Sequence, residues 1–191
     1  MTGDVASVEA LAAQAKGYPP LDLAETAGLL ADVRQHGPGP AHQRLVEHNL
    51  EIAFEAARAR ANRGIDLGDL YQEATLAVTA ALLEYASRSG RPDELETFIR
   101  RVAGTHLDER LEAAALEQES EEAFVRDAQL YETAEVALRR RFGRAVTPTE
   151  IAAILDWPPE RVEVVGRMLS AARDNYDSDI ARYLDDVEEP D

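Results

Sequence analysis

The sequence predicts an all-α protein made of two small helical bundles, and three observations lead to this fold class. Alanine and leucine dominate the composition while only 6% of the residues are aromatic, a balance that favours helix. Apolar residues recur at spacings of three and four, and no stretch alternates as a half-buried strand would. The acidic segment 117–122 is poor in apolar residues and separates two groups of helical segments. With 191 residues, 45% of them hydrophobic, both groups have enough apolar surface for a core.

The first domain is predicted to span residues 21–116, after a flexible tail at 1–20 that ends in Gly-Tyr-Pro-Pro. Its first helix runs from Asp22 to Gln35, before Gly-Pro-Gly-Pro interrupts the chain. We expect the apolar side of this helix to comprise Leu23, Ala27, Leu30 and Val33.

One long second helix is predicted to start at Ala41 and to end at Asn62-Arg63-Gly64, since glycine commonly follows a helix C-terminus. Asp66 or Asp69 caps the third helix. Its apolar residues cover more than one face, which predicts a central position; they are Leu70, Leu76, Val78, Ala81, Leu82 and Tyr85. After a polar loop, a fourth helix is predicted from Asp93 to between Leu111 and Leu116.

The second domain is predicted to span residues 123–173. A helix from Ala123 to Phe142 is closed by Gly143. A second helix start follows, with Thr147 as the cap, Pro148 in the first turn and Glu150 three residues after the cap. This short helix ends near Trp-Pro-Pro, and a last helix runs over 160–173. Residues 174–191 carry eight acids against one arginine, and we expect them to form an extended tail.

Charge and composition exclude several functional classes. Acids outnumber bases 37 to 20, for a net charge of −17. A general DNA-coating protein or a protein attached to anionic membranes would usually be basic. No cysteine is present, which excludes disulfides and thiolate chemistry. No apolar run approaches the roughly 18 residues of a membrane span, so we expect a soluble, cytoplasmic protein without a membrane partner.

The sequence contains no recognisable catalytic motif. The four histidines lack the spacing of a zinc site, and neither a glycine-rich phosphate loop nor a nucleophile elbow is present. We therefore expect no enzyme, no catalytic residue, no cofactor and no metal. The two short helices within 147–173 are typical of a helix-turn-helix. Because Glu160 and Glu163 lie where DNA contacts would be expected, a structural helix pair and a DNA reader both remain open.

The central part of the first domain carries motifs in a specific order. Leu45-Val46-Glu47 is followed by Asn49-Leu50, then by Asn62-Arg63-Gly64, and then by Asp69-Leu70-Tyr71-Gln72-Glu73. This order resembles region 2 of the bacterial sigma-70 family of RNA polymerase subunits. Residues 147–152 are similar to the start of region 3, residues 177–186 to the acidic linker after it, and the first helix takes the place of region 1.2. The resemblance covers about 170 residues.

The resemblance implies a partner. In sigma factors, the helix that carries this acidic motif binds the clamp helices, a basic coiled coil of the largest subunit of RNA polymerase core. The residues that would contact polymerase are Asp69, Leu70, Gln72, Glu73, Asn49 and Arg63. Asp69, Gln72 and Glu73 fall at spacings of three and four and share a helix face. Without the resemblance, the same pattern is compatible with a solvated face on which Asp69 is an N-cap.

The chain departs from the family pattern at positions that contact promoter DNA in sigma factors. Where the family has tandem tryptophans that stack on melted promoter bases, this chain has Arg101-Val102, and only Phe98 is aromatic nearby. Possible DNA contacts are Arg88, Arg91, Phe98, Arg100 and Arg101, although surface arginines often only solvate a helix. Residues 108–122 carry seven acids and one arginine, which repel a phosphate backbone. The sequence ends at Asp191, and we expect it to lack region 4.

These observations predict a transcription protein that binds RNA polymerase core, as a regulator or accessory sigma subunit with weakened promoter melting. It would contact promoter DNA only together with polymerase or a partner, and a second transcription regulator is a possible partner. Three alternatives stay open: a sigma-derived helical module that binds another regulator, a promoter-specific sigma factor, and a conventional DNA-binding regulator that uses residues 147–173.

Overall fold

The computed structural model describes residues 10–13 and 15–187, and every regular element in those ranges is helical. The prediction of an all-α fold is confirmed. The α-helices that follow residue 22 are α1 (Leu23–His36), α2 (Pro40–Glu47), α3 (Leu50–Arg58), α4 (Leu67–Ser87), α5 (Leu95–Phe142), α6 (Pro148–Leu155) and α7 (Pro159–Val187), with a 3-10 turn at Pro92–Glu94. None of the described helices combines the length and the apolar character needed to cross a membrane.

The chain divides into two compact units, Met1–Leu116 and Glu117–Asp191. The division coincides with the start of the predicted acidic linker at 117–122, but these residues are an exposed part of α5 and not a break between two helices. Residues 105–142 contain neither glycine nor proline and are rich in alanine, glutamate and arginine, which favour helix. The acidic composition therefore marks an exposed stretch of helix and not an interruption.

Part of the predicted flexible tail at residues 1–20 is helical and packs against the first unit. Residues 10–13 and 15 are helical, Ala15 is 1% exposed, and Leu11 and Ala12 pack against the core of the first unit. Leu11 and Ala15 are four residues apart and lie on one side of this turn, which gives it an apolar face. The remainder of the predicted tail, residues 1–9 and 14, lies outside the described residues.

Helix α1 buries only part of the predicted side. Asp22 caps it, with the backbone N–H of Glu25 donating to the Asp22 carboxylate at 2.7 Å. Leu30 and Val33 are buried as expected, but Leu23 and Ala27 are exposed, and Thr26 is buried. The Thr26 hydroxyl donates to the Asp22 carbonyl at 2.8 Å, which satisfies this polar group inside the core.

The predicted long second helix is two helices, α2 and α3, separated at His48 and Asn49. The Asn49 amide donates to the Leu45 carbonyl at 2.7 Å, so a side chain takes an acceptor that backbone N–H groups use within a helix. His48 contacts the Pro19 carbonyl through Nδ1. Both contacts are made by polar side chains at the break. The spacing of apolar residues, on which the prediction rested, continues through the break and therefore does not reveal it.

Helix α4 is the central helix of the first unit. Asp66 caps it by accepting a hydrogen bond from the Gly68 N–H at 2.7 Å, so the cap is Asp66 and not Asp69. Five of the six predicted apolar residues are buried, and Leu76 is the exception at 64% exposed. The surrounding core comes from α1, α2, α3 and the first part of α5; its largest fully buried side chains are Leu30, Leu45, Leu70, Leu82, Ile99, Leu107 and Val78.

The second unit consists of the end of α5 with α6 and α7. Gly143 ends α5 with a φ of +66°, a backbone conformation that favours glycine. The predicted capping box of α6 is confirmed, because the Thr147 hydroxyl accepts from the Glu150 N–H while the Glu150 carboxylate accepts from the Thr147 N–H at 2.9 Å. A compact core forms around Leu138, Ile151 and Val162.

The last helix is longer than predicted. We expected it to end at Arg173 and an extended tail to follow, but α7 continues to Val187. Residues 174–187 contain neither glycine nor proline, so no residue there forces the backbone out of the helix. Residues 188–191 of the predicted tail lie outside the described residues.

Candidate functional site

One face of α4 gathers two of the predicted polymerase contacts. Asp69 and Gln72 are both exposed, and Leu76, one turn beyond Gln72, is 64% exposed. These three residues, which we call the α4 face, are separated by three and four positions and lie on one side of the helix. The face starts in the first turn, close to the cap at Asp66, and is held by a helix whose opposite side is buried.

Leu70, also predicted as a contact, is 0% exposed. It lies in the core and therefore anchors α4, so its assignment to a contact surface is wrong. The reason is the helical period: Leu70 follows Asp69 by one position, which turns its side chain about 100° away from the exposed face.

Glu73 is held by neighbours within the first unit. Its carboxylate lies 2.9 Å from His106 Nε2 and 3.3 Å from Arg110 Nε. The hydrogen bond from His106, together with the charge of Arg110, holds the pKa of Glu73 below its ordinary value. Because this side chain is 29% exposed and already paired, it is less available to a partner than Asp69.

Asn49 and Arg63 both form hydrogen bonds within the first unit. Asn49 is half-buried and forms the helix break between α2 and α3. Arg63 donates to the Asp108 carboxylate at 3.3 Å and remains exposed. Both side chains have partners in their own unit, although Arg63 keeps donors that face solvent.

A second arginine, Arg60, makes the stronger bond to Asp108. Its guanidinium donates to both carboxylate oxygens, at 2.9 and 2.7 Å, which ties the end of α3 to α5. These hydrogen bonds hold the pKa of Asp108 below its ordinary value. Sequence reasoning missed this pair, because nothing local relates two residues 48 positions apart.

Three of the four arginines predicted as DNA contacts are paired with carboxylates of the same unit. The pairs are Arg88 with Glu84, Arg91 with Asp93 at 2.7 and 3.1 Å, and Arg100 with Glu55 at 2.6 Å and Glu96 at 2.9 Å. The bonds to Glu55 and Glu96 raise the pKa of Arg100. A phosphate would have to compete with these carboxylates, which lowers the affinity for DNA.

Phe98 and Arg101 form the remaining part of the predicted DNA surface. Phe98 is half-buried, and its ring centroid lies 4.8 Å from that of Tyr85. The Arg101 guanidinium lies 5.7 Å from the Phe98 ring centroid, within range of a cation–π contact. Phe98 therefore already has aromatic and cationic neighbours, and it offers less ring surface for stacking on an unpaired base.

The predicted helix-turn-helix consists of α6 and α7, joined by residues 156–158. Asp156 makes the turn with a φ of 53°. Arg161, in the first turn of α7, donates to both carboxylate oxygens of Asp127 at 2.8 and 2.5 Å and lies 4.3 Å from the Trp157 ring centroid. This arginine is thus used inside the unit, while Glu160 beside it is exposed.

Among the described residues, no three His, Asp or Glu side chains gather as a potential metal site. No protein-family model matches the chain.

Proposed function

We propose that this protein is a sigma-factor-like transcription regulator that binds RNA polymerase core through the α4 face. The observation that carries the proposal is the joint exposure of Asp69, Gln72 and Leu76 on a helix whose other side is buried. Asp69 and Gln72 occupy the positions of the acidic motif that, in the sigma-70 family, meets the basic clamp helices.

The chemistry of the α4 face suits such a partner. The Asp69 carboxylate attracts a basic helix, and complementary charge accelerates encounter and fixes register. Gln72 has both donors and an acceptor for hydrogen bonds, and Leu76 provides apolar contact. Since Leu70 anchors the helix in the core, the face is already in place before the partner arrives.

A regulatory role is favoured over promoter opening. Trapping melted bases requires free aromatic faces, and stacking contributes about 1–3 kcal/mol per base. Phe98 is half-buried against Tyr85, and Arg88, Arg91 and Arg100 are paired with carboxylates. We expect a promoter contact of this protein to depend on polymerase or on a DNA-binding partner.

DNA reading by α7 is the weaker alternative, because Arg161 is bound to Asp127 and an exposed glutamate stands next to it. A module that binds a second transcription regulator is the other alternative. It would use the same exposed α4 face without requiring polymerase, so a binding experiment with purified components separates the two.

The test is the affinity of purified bacterial RNA polymerase core for the full chain and for Asp69→Arg. We expect the substitution to weaken binding at least tenfold, since a positive charge would then face a basic partner; tenfold corresponds to about 1.4 kcal/mol. Asp32→Arg is the matched control, because Asp32 is an exposed helical acid on α1 that is paired with His36. Equal affinities of wild type and Asp69→Arg would refute the proposal.

A further inference from the structure

The exposed side of α5 in the second unit carries a regularly spaced row of residues. Ala134 and Leu138 are buried on the opposite side of the helix, and Tyr131 packs against the core there. The residues of the row are all exposed and follow one another at spacings of three and four, so they share one face of the helix. We call them the α5 stripe: Glu122, Val125, Gln129, Thr133, Val136 and Arg140. All six belong to the second unit.

The two ends of the α5 stripe lie in segments of opposite charge. Residues 117–122 contain four acids and no base, whereas residues 136–149 contain four arginines and no acid. These arginines all fall within residues 139–144, and no other six consecutive residues of the chain carry four cations. Between the two ends, the stripe consists of two valines, a glutamine and a threonine. A partner therefore needs a cation at one end, an anion at the other and an uncharged middle.

The charges at both ends of the α5 stripe remain available to a partner. Within the part of the chain that the structure describes, Arg140 and Arg141 form no ion pair, although the arginines on either side of them do. At the acidic end, Glu122 lies 3.9 Å from Arg126, the outer limit for an ion pair, and its side chain is 59% exposed. Such a contact contributes little, so a better-placed cation can replace it.

A second copy of the chain, turned end to end, carries the complementary pattern. If the two-fold axis passes at residue 131, Glu122 of one copy lies level with Arg140 of the other, because both are nine positions from the axis. By the same count Gln129 lies level with Thr133, and Val125 falls within one position of Val136. The two charged pairs are then about 27 Å apart along the helix. A parallel pair would instead place Glu122 beside Glu122 and Arg140 beside Arg140.

We propose that two copies of this protein form an antiparallel dimer through the α5 stripe, with Glu122 facing Arg140 of the second copy at both ends and the valines in the middle. The contact is isologous, as in most homodimers. The Thr133 hydroxyl donates to the Gln129 carbonyl of its own helix at 2.7 Å and can still accept a hydrogen bond from the Gln129 amide of the second copy. The proposal does not rest on the proposed function, because the α4 face belongs to the first unit.

The test is sedimentation equilibrium of the full chain at about 1–100 µM, since one helix pair is a small interface and we expect a dissociation constant in the micromolar range. Arg140→Glu and Glu122→Arg should each weaken dimerisation at least tenfold, because each places like charges opposite each other at both ends. The double variant Glu122→Arg/Arg140→Glu should dimerise as wild type does, and so should an equimolar mixture of the two single variants. In a parallel pair, neither single reversal would weaken the contact.

Two matched controls lie on α7 of the same unit. Arg167 is exposed there, so Arg167→Glu changes the net charge as Arg140→Glu does and should leave dimerisation unchanged. Val136 and Val164 are 46% and 45% exposed, but only Val136 belongs to the α5 stripe. We expect Val136→Asn to weaken dimerisation severalfold and Val164→Asn to leave it unchanged. Far-UV circular dichroism at low concentration shows whether each variant keeps its helices.

Three outcomes would overturn the proposal. The first is a monomer at about 100 µM in low salt, conditions in which charge attraction is least screened. The second is a dimer that Arg140→Glu and Glu122→Arg leave unchanged, which would place the contact elsewhere. The third is weakened dimerisation in both single variants without recovery in the double variant or in the mixture, which would show that these residues act within their own chain and do not face each other.

Discussion

Two leucines on α4 give a direct test of which side of that helix is exposed. Leu70 and Leu76 are apolar residues within one helix and are indistinguishable by composition, yet Leu70 is 0% exposed and Leu76 is 64% exposed. We predict that Leu70→Ala strongly destabilises the protein and that Leu76→Ala does not. The contrast matters because the α4 face exists only if Leu76 faces solvent.

The magnitudes follow from burial. Removal of a fully buried leucine side chain costs about 3 kcal/mol, since both the transfer free energy and the remaining cavity count against the folded state. Leu76 keeps only about a third of its surface covered, and full burial of leucine contributes about 1.5–3 kcal/mol, so its truncation costs less than about 1 kcal/mol. The higher helix propensity of alanine reduces that loss further.

The assay is urea unfolding followed by far-UV circular dichroism and by the fluorescence of Trp157. Trp157 is the sole tryptophan and lies in the second unit, so its signal follows that unit separately. With a slope of about 2 kcal/mol per molar urea, Leu70→Ala should shift the midpoint of the first unit by about 1.5 M and Leu76→Ala by less than about 0.5 M. Equal shifts for the two variants would refute the assignment of the exposed side.

Four further predictions concern the second unit and DNA. Gly143→Ala should destabilise the second unit by about 1–2 kcal/mol, measured by Trp157 fluorescence in urea, because Gly143 has a φ of +66°; an unchanged midpoint would contradict this. The hydrogen bonds from Arg144 and Thr147 lower the pKa of Glu150 from 4.5 to about 2, so its contribution to stability is present above pH 4.5 and is lost as the pH falls towards 2. Glu150→Gln should therefore flatten the decrease in thermal midpoint over this pH range, and the same acid sensitivity as wild type would disprove the assignment. The protein alone should not shift duplex DNA at physiological salt, and core with this protein alone should not make promoter thymines reactive to permanganate; a salt-sensitive shift or reproducible melting would contradict the regulatory role.

Sequence reasoning succeeded where the determinants are local. The capping box at Thr147 and Glu150, the end of α5 at Gly143 and the cap of α4 by one of two candidate aspartates depend on residues a few positions apart. Helical periodicity likewise identified most of the core of α4. Such features are encoded within one turn of chain, which is why they can be derived without a structure.

The errors have two physical causes. Some features depend on contacts between distant segments, and others on the absence of a glycine or proline that would end a helix. The pairing of Glu73 with His106 joins residues 33 positions apart, and no pattern in either helix indicates it. The exposure of Leu76 depends on which side of α4 the other helices cover. The division between the units does fall at the acidic segment. The continuity of α5 through that segment was missed because acidity was taken for a break between helices, although glutamate is a good helix former.

The most direct test of the α4 face is site-specific photocrosslinking. A photoreactive phenylalanine analogue replaces Gln72, which is exposed on that face. The control carries the same analogue in place of Leu23, which is 62% exposed on α1. With purified RNA polymerase core, we expect the analogue at Gln72 to give an adduct with the largest subunit, mapped by mass spectrometry to its basic coiled coil, and the analogue at Leu23 to give none there. No adduct from Gln72, or equal adducts from both positions, would contradict the claim that this face binds polymerase.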